Sequence, residues 1–318
     1  MPKKNLKKNK IGIFILSYRR LKNLKKVIKN VKDNISKDDI LFIFADGINY
    51  KKNLAEQKET LKVITYLKKI NNNKIKVLFQ KKNIGLKKNW EIAYDFMFKK
   101  FDKVICLQDD DIIKKNFIAY MIYYLNKFEN NKKVMNITGF ATKVNVKKNY
   151  LYDSYFTKRS ISYSQASWKR VWKLYKKIDK NPYAVIKNKN NRNLLNAAGT
   201  DLLPLMILEH FKFIDSIQVW WSWNIIKNKG FCLNPLTSLI KNTGFTDNKA
   251  THYYKKIFNQ NTKTFNNKIK ISKILYDEYL DNQFKSNYSA SKISFYTFNY
   301  APLFIIKILY QLKKMLLN

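Results

Sequence analysis

DKVICLQDDDIIKKNF, residues 102 to 117, runs from an apolar segment directly into three consecutive carboxylates, Asp109, Asp110 and Asp111. The segment 102 to 108 has the length and apolar, β-branched content of a strand buried on both faces. The acids therefore stand at the C-terminal end of a strand.

Working outward, the same alternation recurs upstream. IGIFILSY (11 to 18) reads as a buried strand, and residues 21 to 35 put Leu21, Leu24, Val27, Ile28, Val31 and Ile35 on one helical stripe with lysines outside. DILFIFADG (39 to 47) is a second strand, NLAEQKETLKVITYLKKI a helix, KIKVLFQ a third strand and GLKKNWEIAYDFMFKKF a helix. Strict succession of strand and helix predicts βαβ units and a mostly parallel sheet, an α/β fold with flanking helices. Ligands of such sheets sit outside the carboxyl ends of the strands. Four polar clusters are thereby sent to one rim: Ser17, Tyr18 and Arg19; Asp46; Asn83 to Lys88; and Asp109 to Asp111. No Gly-x-Gly-x-x-Gly or Gly-Lys-Ser/Thr loop occurs, which disfavours a dinucleotide enzyme or a P-loop NTPase.

The 318 residues include 63 Lys and Arg against 22 Asp and Glu, a formal net charge of +41, with 46% hydrophobic residues. That content supports a packed core and excludes a disordered polyelectrolyte. Lysine excess invites a nucleic-acid partner. Here the lysines are dispersed among Asn and Ile as an A/T-rich genome would place them, so no nucleic acid is expected, and an anionic membrane surface or small anionic substrate suits the charge better. Cys106 and Cys232 stand apart with no C-x-x-C or His pairing, which argues against a disulfide framework or zinc site. The apolar run 11 to 18 is too short for a signal peptide, and nothing reaches the roughly 18 apolar residues of a spanning helix. A cytoplasmic protein, or one peripheral on the inner face of the cell membrane, is expected.

Clustered carboxylates stay ionised cheaply only beside a cation, and hard oxygen ligands suit Mn2+ or Mg2+ together with a substrate phosphate. The competing reading is an Asp-rich turn capping a helix that starts near Asn116. Residues alone leave both open.

ILSYRR, FADG, NIGLKKNW and ICLQDDDIIKKNF, followed by SYSQASWKRVWKLY, DLLPLMILEHFKFIDSIQVWWSWNI and LNPLTSLIKNTGFTDNKATH, resemble in order the GT-A glycosyltransferases. The likeness, over about residues 11 to 252, is to bacterial sugar transferases distantly similar to N-acetylglucosaminyltransferase I. It implies a GT-A fold: a basic tail (1–10), a nucleotide-sugar-binding half (11–117), an acceptor-binding half (118–260) and a C-terminal helical extension (261–318). It also implies inverting, metal-dependent transfer from a nucleotide-sugar donor, a UDP-sugar, to a hydroxyl of a glycan or lipid-linked glycan acceptor in surface polysaccharide or lipooligosaccharide synthesis.

Carried onto this chain, the resemblance implies that Asp46 reads the base. Ser17, Tyr18 and Arg19 or Arg20 line the same pocket, Asp109 faces the ribose, and Asp110 binds the metal. Family members have Glu-Asp-Asp where this chain has Gln108-Asp109-Asp110, so Asp111 stays a metal candidate. His252 supplies a metal or phosphate contact or is plain surface, and Lys87 meets the diphosphate or is merely solvated. Asp215 is the base that takes the acceptor's proton, beside an aromatic wall of Trp220 and Trp221; Asp201 is the runner-up, and a helix N-cap competes for each acid. A nucleotidyltransferase or a basic nucleic-acid-binding protein are the alternatives. The last segment, 301 to 318, puts Lys307, Gln311 and Lys314 on one stripe, which suits either a membrane interface or docking on the core.

Overall fold

The computed structural model describes residues 11–161, 163–243 and 276–316. The first half is built as the alternation predicts. Strands β1 (Ile11–Ser17), β2 (Leu41–Ala45), β3 (Ile75–Phe79) and β4 (Lys103–Gln108) are parallel, with helices α1 (Leu21–Lys32), α2 (Leu54–Ile70) and α3 (Leu86–Lys100) between them. β1 lies between β2 and β4, pairing Ser17 with Ala45 and Leu16 with Gln108, so their carboxyl ends share one edge. Of the predicted stripe, helix α1 buries Leu24, Val27, Ile28 and Val31 and leaves Leu21 half-buried; it stops at Lys32, before Ile35. Asn53 caps α2 by accepting the Glu56 N–H at 3.0 Å.

Beyond β4 the chain makes β5 (Asp111–Ile113), α4 (Phe117–Lys127), β6 (Val134–Thr138), β7 (Ser154–Thr157), β8 (Gln165–Trp168), α5 (Lys169–Lys177), α6 (Pro182–Lys187), α7 (Lys189–Ala198), α8 (Leu202–His210), α9 (Ile217–Lys227), β9 (Phe231–Pro235) and β10 (Ile240–Asn242). The sheet continues without a break as β3-β2-β1-β4-β8-β6-β9-β7. Here the pairing turns mixed: β8 is antiparallel to β4 and β6, β6 is parallel to β9, and β7 is antiparallel to β9. Separately, β5 and β10 form an antiparallel ribbon that sets Asn242 opposite Asp111.

Aromatic side chains seal the two halves together. Trp90 packs on Tyr94 and on Trp221 (ring centres 4.2 and 5.3 Å), while Trp172 stacks on Tyr175 at 4.9 Å. Trp172 donates its Nε1–H to Asp95 and the nearby Trp168 donates its own to the Leu125 carbonyl, both at 3.0 Å. Three further helices, α10 (Glu278–Ser286), α11 (Lys292–Tyr300) and α12 (Leu303–Leu316), close the described chain. No helix of the described residues is long and apolar enough to cross a membrane.

Candidate functional site

The rim is tied together by a continuous string of contacts. The Asp46 N–H donates to the Ser17 carbonyl at 2.9 Å, locking the end of β2 to the end of β1. The next residue along, Tyr18, donates its N–H to Asp109 Oδ2 at 3.0 Å, which joins the end of β1 to the acids after β4. From the other side, Asp46 receives the N–H groups of Gly47, Ile84 and Gly85 (2.8, 2.9 and 3.1 Å) and the Asn83 amide (2.8 Å). Four donors fill a carboxylate's acceptor directions. The structure thus makes Asp46 the organiser of the loop before α3, with no acceptor direction free for a base.

Two glycines make that loop feasible. A Cβ on Gly47 would fall 2.4 Å from the Lys82 backbone, and Gly85 sits at φ +81, where a side chain is strained. The approach at Gly85 also brings in the other half of the chain: a Cβ there would lie 3.7 Å from Asp215 Oδ2. Asp215 is not a helix cap. Ser216 caps α9 by accepting the Val219 N–H, leaving the Asp215 side chain 58% exposed with Lys87 Nζ at 3.2 Å.

Lys87 is clamped between two acids. It pairs with Glu209 as well as Asp215, and although burial pulls its pKa down, the two carboxylates hold it above the usual lysine value. Its ammonium is therefore already neutralised in this conformation. Glu209, nearly buried, also accepts the Trp220 indole N–H at 2.8 Å and the Ser216 N–H at 2.9 Å. Sequence reasoning missed Glu209; its signal was an acid directly following the apolar run LLPLMIL (202 to 208), a residue type that stays inside only when paired.

The three adjacent aspartates have three different surroundings. Asp111, fully buried, accepts from Ser164 Oγ (2.8 Å), the Ser164 and Gln108 N–H groups (3.2 and 3.1 Å) and the Asn242 amide (2.8 Å). It is a structural tie between β4, the β8 approach and β10. Asp110 takes the Asn242 amide at 3.1 Å on one oxygen and the Arg20 guanidinium on the other; Arg20 also stands 3.8 Å from Asp109. None of these acids caps α4, so the Asp-rich-turn reading does not describe their hydrogen bonds.

Of the two arginines that follow β1, it is Arg20 that turns to the acids. Arg19 pairs instead with Glu56 at the start of α2. Arg19 and Arg20 nevertheless share a shallow cleft of about 260 Å³, lined also by Lys22, Lys62 and Glu59. Its balance of charge suits an anion. Ser17 is buried at the floor of the rim with its hydroxyl oxygen unpaired, and burial raises the pKa of the Tyr18 phenol.

Two sequence expectations need correcting here. Trp220 and Trp221 do not form an open wall: α9 is covered on all sides, both indoles are 1% exposed or less, and Trp221 donates its N–H to Asn136 inside the core. Asp201 does begin α8, but without a side-chain cap; it forms a two-pronged pair with buried Arg159 (2.5 and 3.2 Å). His252 lies outside the described residues.

Burial, and then the charge of Asp110, push the Asp109 and Asp111 carboxyls up to about 7; burial raises Asp110 as well, against the pull of Arg20. Folded carboxyls of this kind hold protons that the unfolded chain has released between about pH 4 and pH 7, so stability is lost as pH rises through that window. Each contributes a slope of at most about 1.4 kcal/mol per pH unit. Urea unfolding from pH 5 to 8 should show this fall, and Asp109→Asn should flatten it; parallel curves for the two proteins would contradict the assignment.

An incoming divalent cation would relieve the same strain. Among the described residues no three His, Cys, Asp or Glu side chains gather into a ligand cluster. Asp109 and Asp110 do offer hard oxygens on one edge, and Mg2+ or Mn2+ commonly takes one or two carboxylates plus water and phosphate. The donor set fits; beside it, Asp111 is fully buried and already accepts four hydrogen bonds.

No protein-family model matches the sequence, and no curated protein does. Among solved structures, that of GalNAc-T7 with UDP, GalNAc and Mn2+ is similar at 12% identity and TM-score 0.47, over 71% of this chain and 42% of that one. S. aureus TarS 1–349 is similar at 13% identity and TM-score 0.36, over 52% of this chain and 48% of that one. A 4-diphosphocytidyl-2C-methyl-D-erythritol synthase from Anaerococcus prevotii follows at 12% identity and TM-score 0.34, over 52% of this chain and 74% of that one. The chain spans less than half the length of the first two. What its own fold and rim define is an α/β protein with a buried acid pair at the carboxyl ends of parallel strands.

Proposed function

We propose that the chain is a GT-A glycosyltransferase, a hexosyl- or N-acetylhexosaminyltransferase that moves a sugar from a UDP-sugar to a hydroxyl of a glycan or lipid-linked glycan in bacterial surface polysaccharide synthesis. The observation that carries this reading is the buried Asp109–Asp110 pair faced by Arg20, with Tyr18 on Asp109, at the carboxyl ends of β1 and β4. A buried acid pair with raised pKa beside a cationic cleft is the electrostatic complement of a metal-bound diphosphate.

Asp110, with Asp109 beside it, would hold Mn2+ or Mg2+, which when bound supplies positive charge against the leaving diphosphate. The cleft of Arg19, Arg20 and Lys22 receives the phosphates, and the base would lie in a pocket beside the Tyr18 phenol, which stands near Arg19 and Asp46. Asp46 we assign to shaping that pocket through its loop rather than to reading the base. On the acceptor side, Asp215 takes the hydroxyl proton while that oxygen bonds to the anomeric carbon. The carbon–oxygen bond to diphosphate breaks, and its electron pair leaves with UDP. Attack opposite the leaving group inverts the anomeric centre. Lys87, 3.2 Å from Asp215, orients the carboxylate. Lipid-linked acceptors are assembled at the inner face of the cell membrane, which is where we propose the enzyme works.

The test is a screen of nucleotide sugars for slow hydrolysis by the wild-type protein, with Mn2+ and with chelator. One UDP-sugar should be hydrolysed and protected by chelation. Failure of every nucleotide diphosphate sugar to be hydrolysed, and of UDP to bind by titration, would sink the reading.

A further inference from the structure

We propose that helices α11 and α12 form an in-plane docking surface for an anionic lipid bilayer. The proposal stands on residues remote from the rim and does not rest on the transferase reading.

At 100° per residue, α12 divides into distinct faces. Leu303, Ile306 and Tyr310 point to the body, where Ile306 is buried and Tyr310 stacks on Phe213 at 4.8 Å. The opposite arc carries Phe304, Ile308, Leu309, Leu312 and Met315, exposed at 65, 51, 50, 51 and 76%. Exposed lysines stand at both margins of that arc, Lys313 on one side and Lys307 and Lys314 on the other. On α11 the exposed apolar residues Ile293, Tyr296 and Tyr300 follow an i, i+3, i+7 spacing, with the two tyrosine rings stacked at 5.9 Å. Nine of the exposed large hydrophobic residues in the described chain fall between 293 and 315. A concentration of that kind marks an interaction surface rather than scattered exposure.

Charge selects the occupant. No Asp or Glu occurs after Asp281, while Lys285, Lys292, Lys307, Lys313 and Lys314 do. A second copy would bring another chain of net charge +41 and set its own lysines against these. An anionic headgroup layer meets both requirements: the apolar arc enters the acyl boundary while the marginal lysines reach back to lipid phosphates. Neither helix can span, since α12 has 14 residues and α11 has nine.

The dispersed lysines of the whole chain would also attract anionic vesicles, so the test separates insertion from screening. Full-length protein and the triple variant Phe304→Ser, Ile308→Ser, Leu312→Ser are sedimented with phosphatidylcholine vesicles, with and without phosphatidylglycerol. Sodium chloride is held at about 0.5 M, where exposed charges are screened within a few ångström. Wild type should stay bound to the anionic vesicles and the variant should bind at least tenfold more weakly. Equal binding by the two proteins, or complete release of wild type by salt, would overturn the proposal. So would a wild-type dimer that the triple substitution dissociates. Should the variant misfold, Ile308→Cys carrying an environment-sensitive dye gives a second reading, because Cys106 and Cys232 are buried. A blue shift on adding anionic vesicles is expected, and an unchanged spectrum would refute docking.

Discussion

Asp110→Asn should lower donor turnover about a thousandfold while leaving the protein folded. The magnitude is that of removing one preorganised electrostatic contact to a transition-state charge, here compounded by loss of a metal carboxylate. Asp110 is the acid of the three that pairs directly with a residue of the cleft: one oxygen receives Asn242 and the other Arg20, which lines the cleft. Folding should not suffer, because the substitution removes the charge that helps push Asp109 and Asp111 up to about 7. Titration of UDP with and without Mn2+ checks the cause directly. Wild type should bind UDP more tightly with metal and the variant should show no metal effect; binding that ignores both Mn2+ and the substitution would end the metal assignment.

For Asp215→Asn we expect a loss of about 10²- to 10⁴-fold in transfer to acceptor, the usual contribution of a general base. UDP affinity and stability should be little altered, since the side chain is 58% exposed and does not cap α9. Asp201→Ala should behave in the opposite way. It strands the guanidinium of Arg159, which is 2% exposed and already has an unpaired Nε, so about 3–5 kcal/mol of stability should go. Chemical unfolding alongside single-turnover transfer distinguishes the two acids. Normal transfer by Asp215→Asn would remove it from the chemistry.

That contrast shows where the sequence was legible. Apolar periodicity placed the four parallel strands and their helices, because a strand buried on both faces and a one-sided helix each leave a pattern within a single stretch of chain. Strand order was not written there, nor that β8 joins β4 antiparallel through Lys103 and Trp168. Such pairings link residues far apart in the chain, and no local pattern names the partner. The choice between Arg19 and Arg20 was equally invisible: consecutive residues point differently, and Glu56 claimed the first.

By itself the sequence determined the α/β class, the parallel half, and the arrival of Tyr18, Asp46 and Asp109 to Asp111 at one rim, since the carboxyl ends of parallel strands must share an edge. The tertiary structure alone decided what each acid does there. Three neighbouring aspartates differ because Ser164 comes from a distant segment to bind Asp111, Asn242 bridges Asp111 and Asp110, and Arg20 takes the other oxygen of Asp110. It also sent Trp220 and Trp221 into the core and Lys87 between Glu209 and Asp215. Hydrogen-bond partners and burial are properties of the packed molecule, and a carboxylate's role follows from them rather than from its place in the chain.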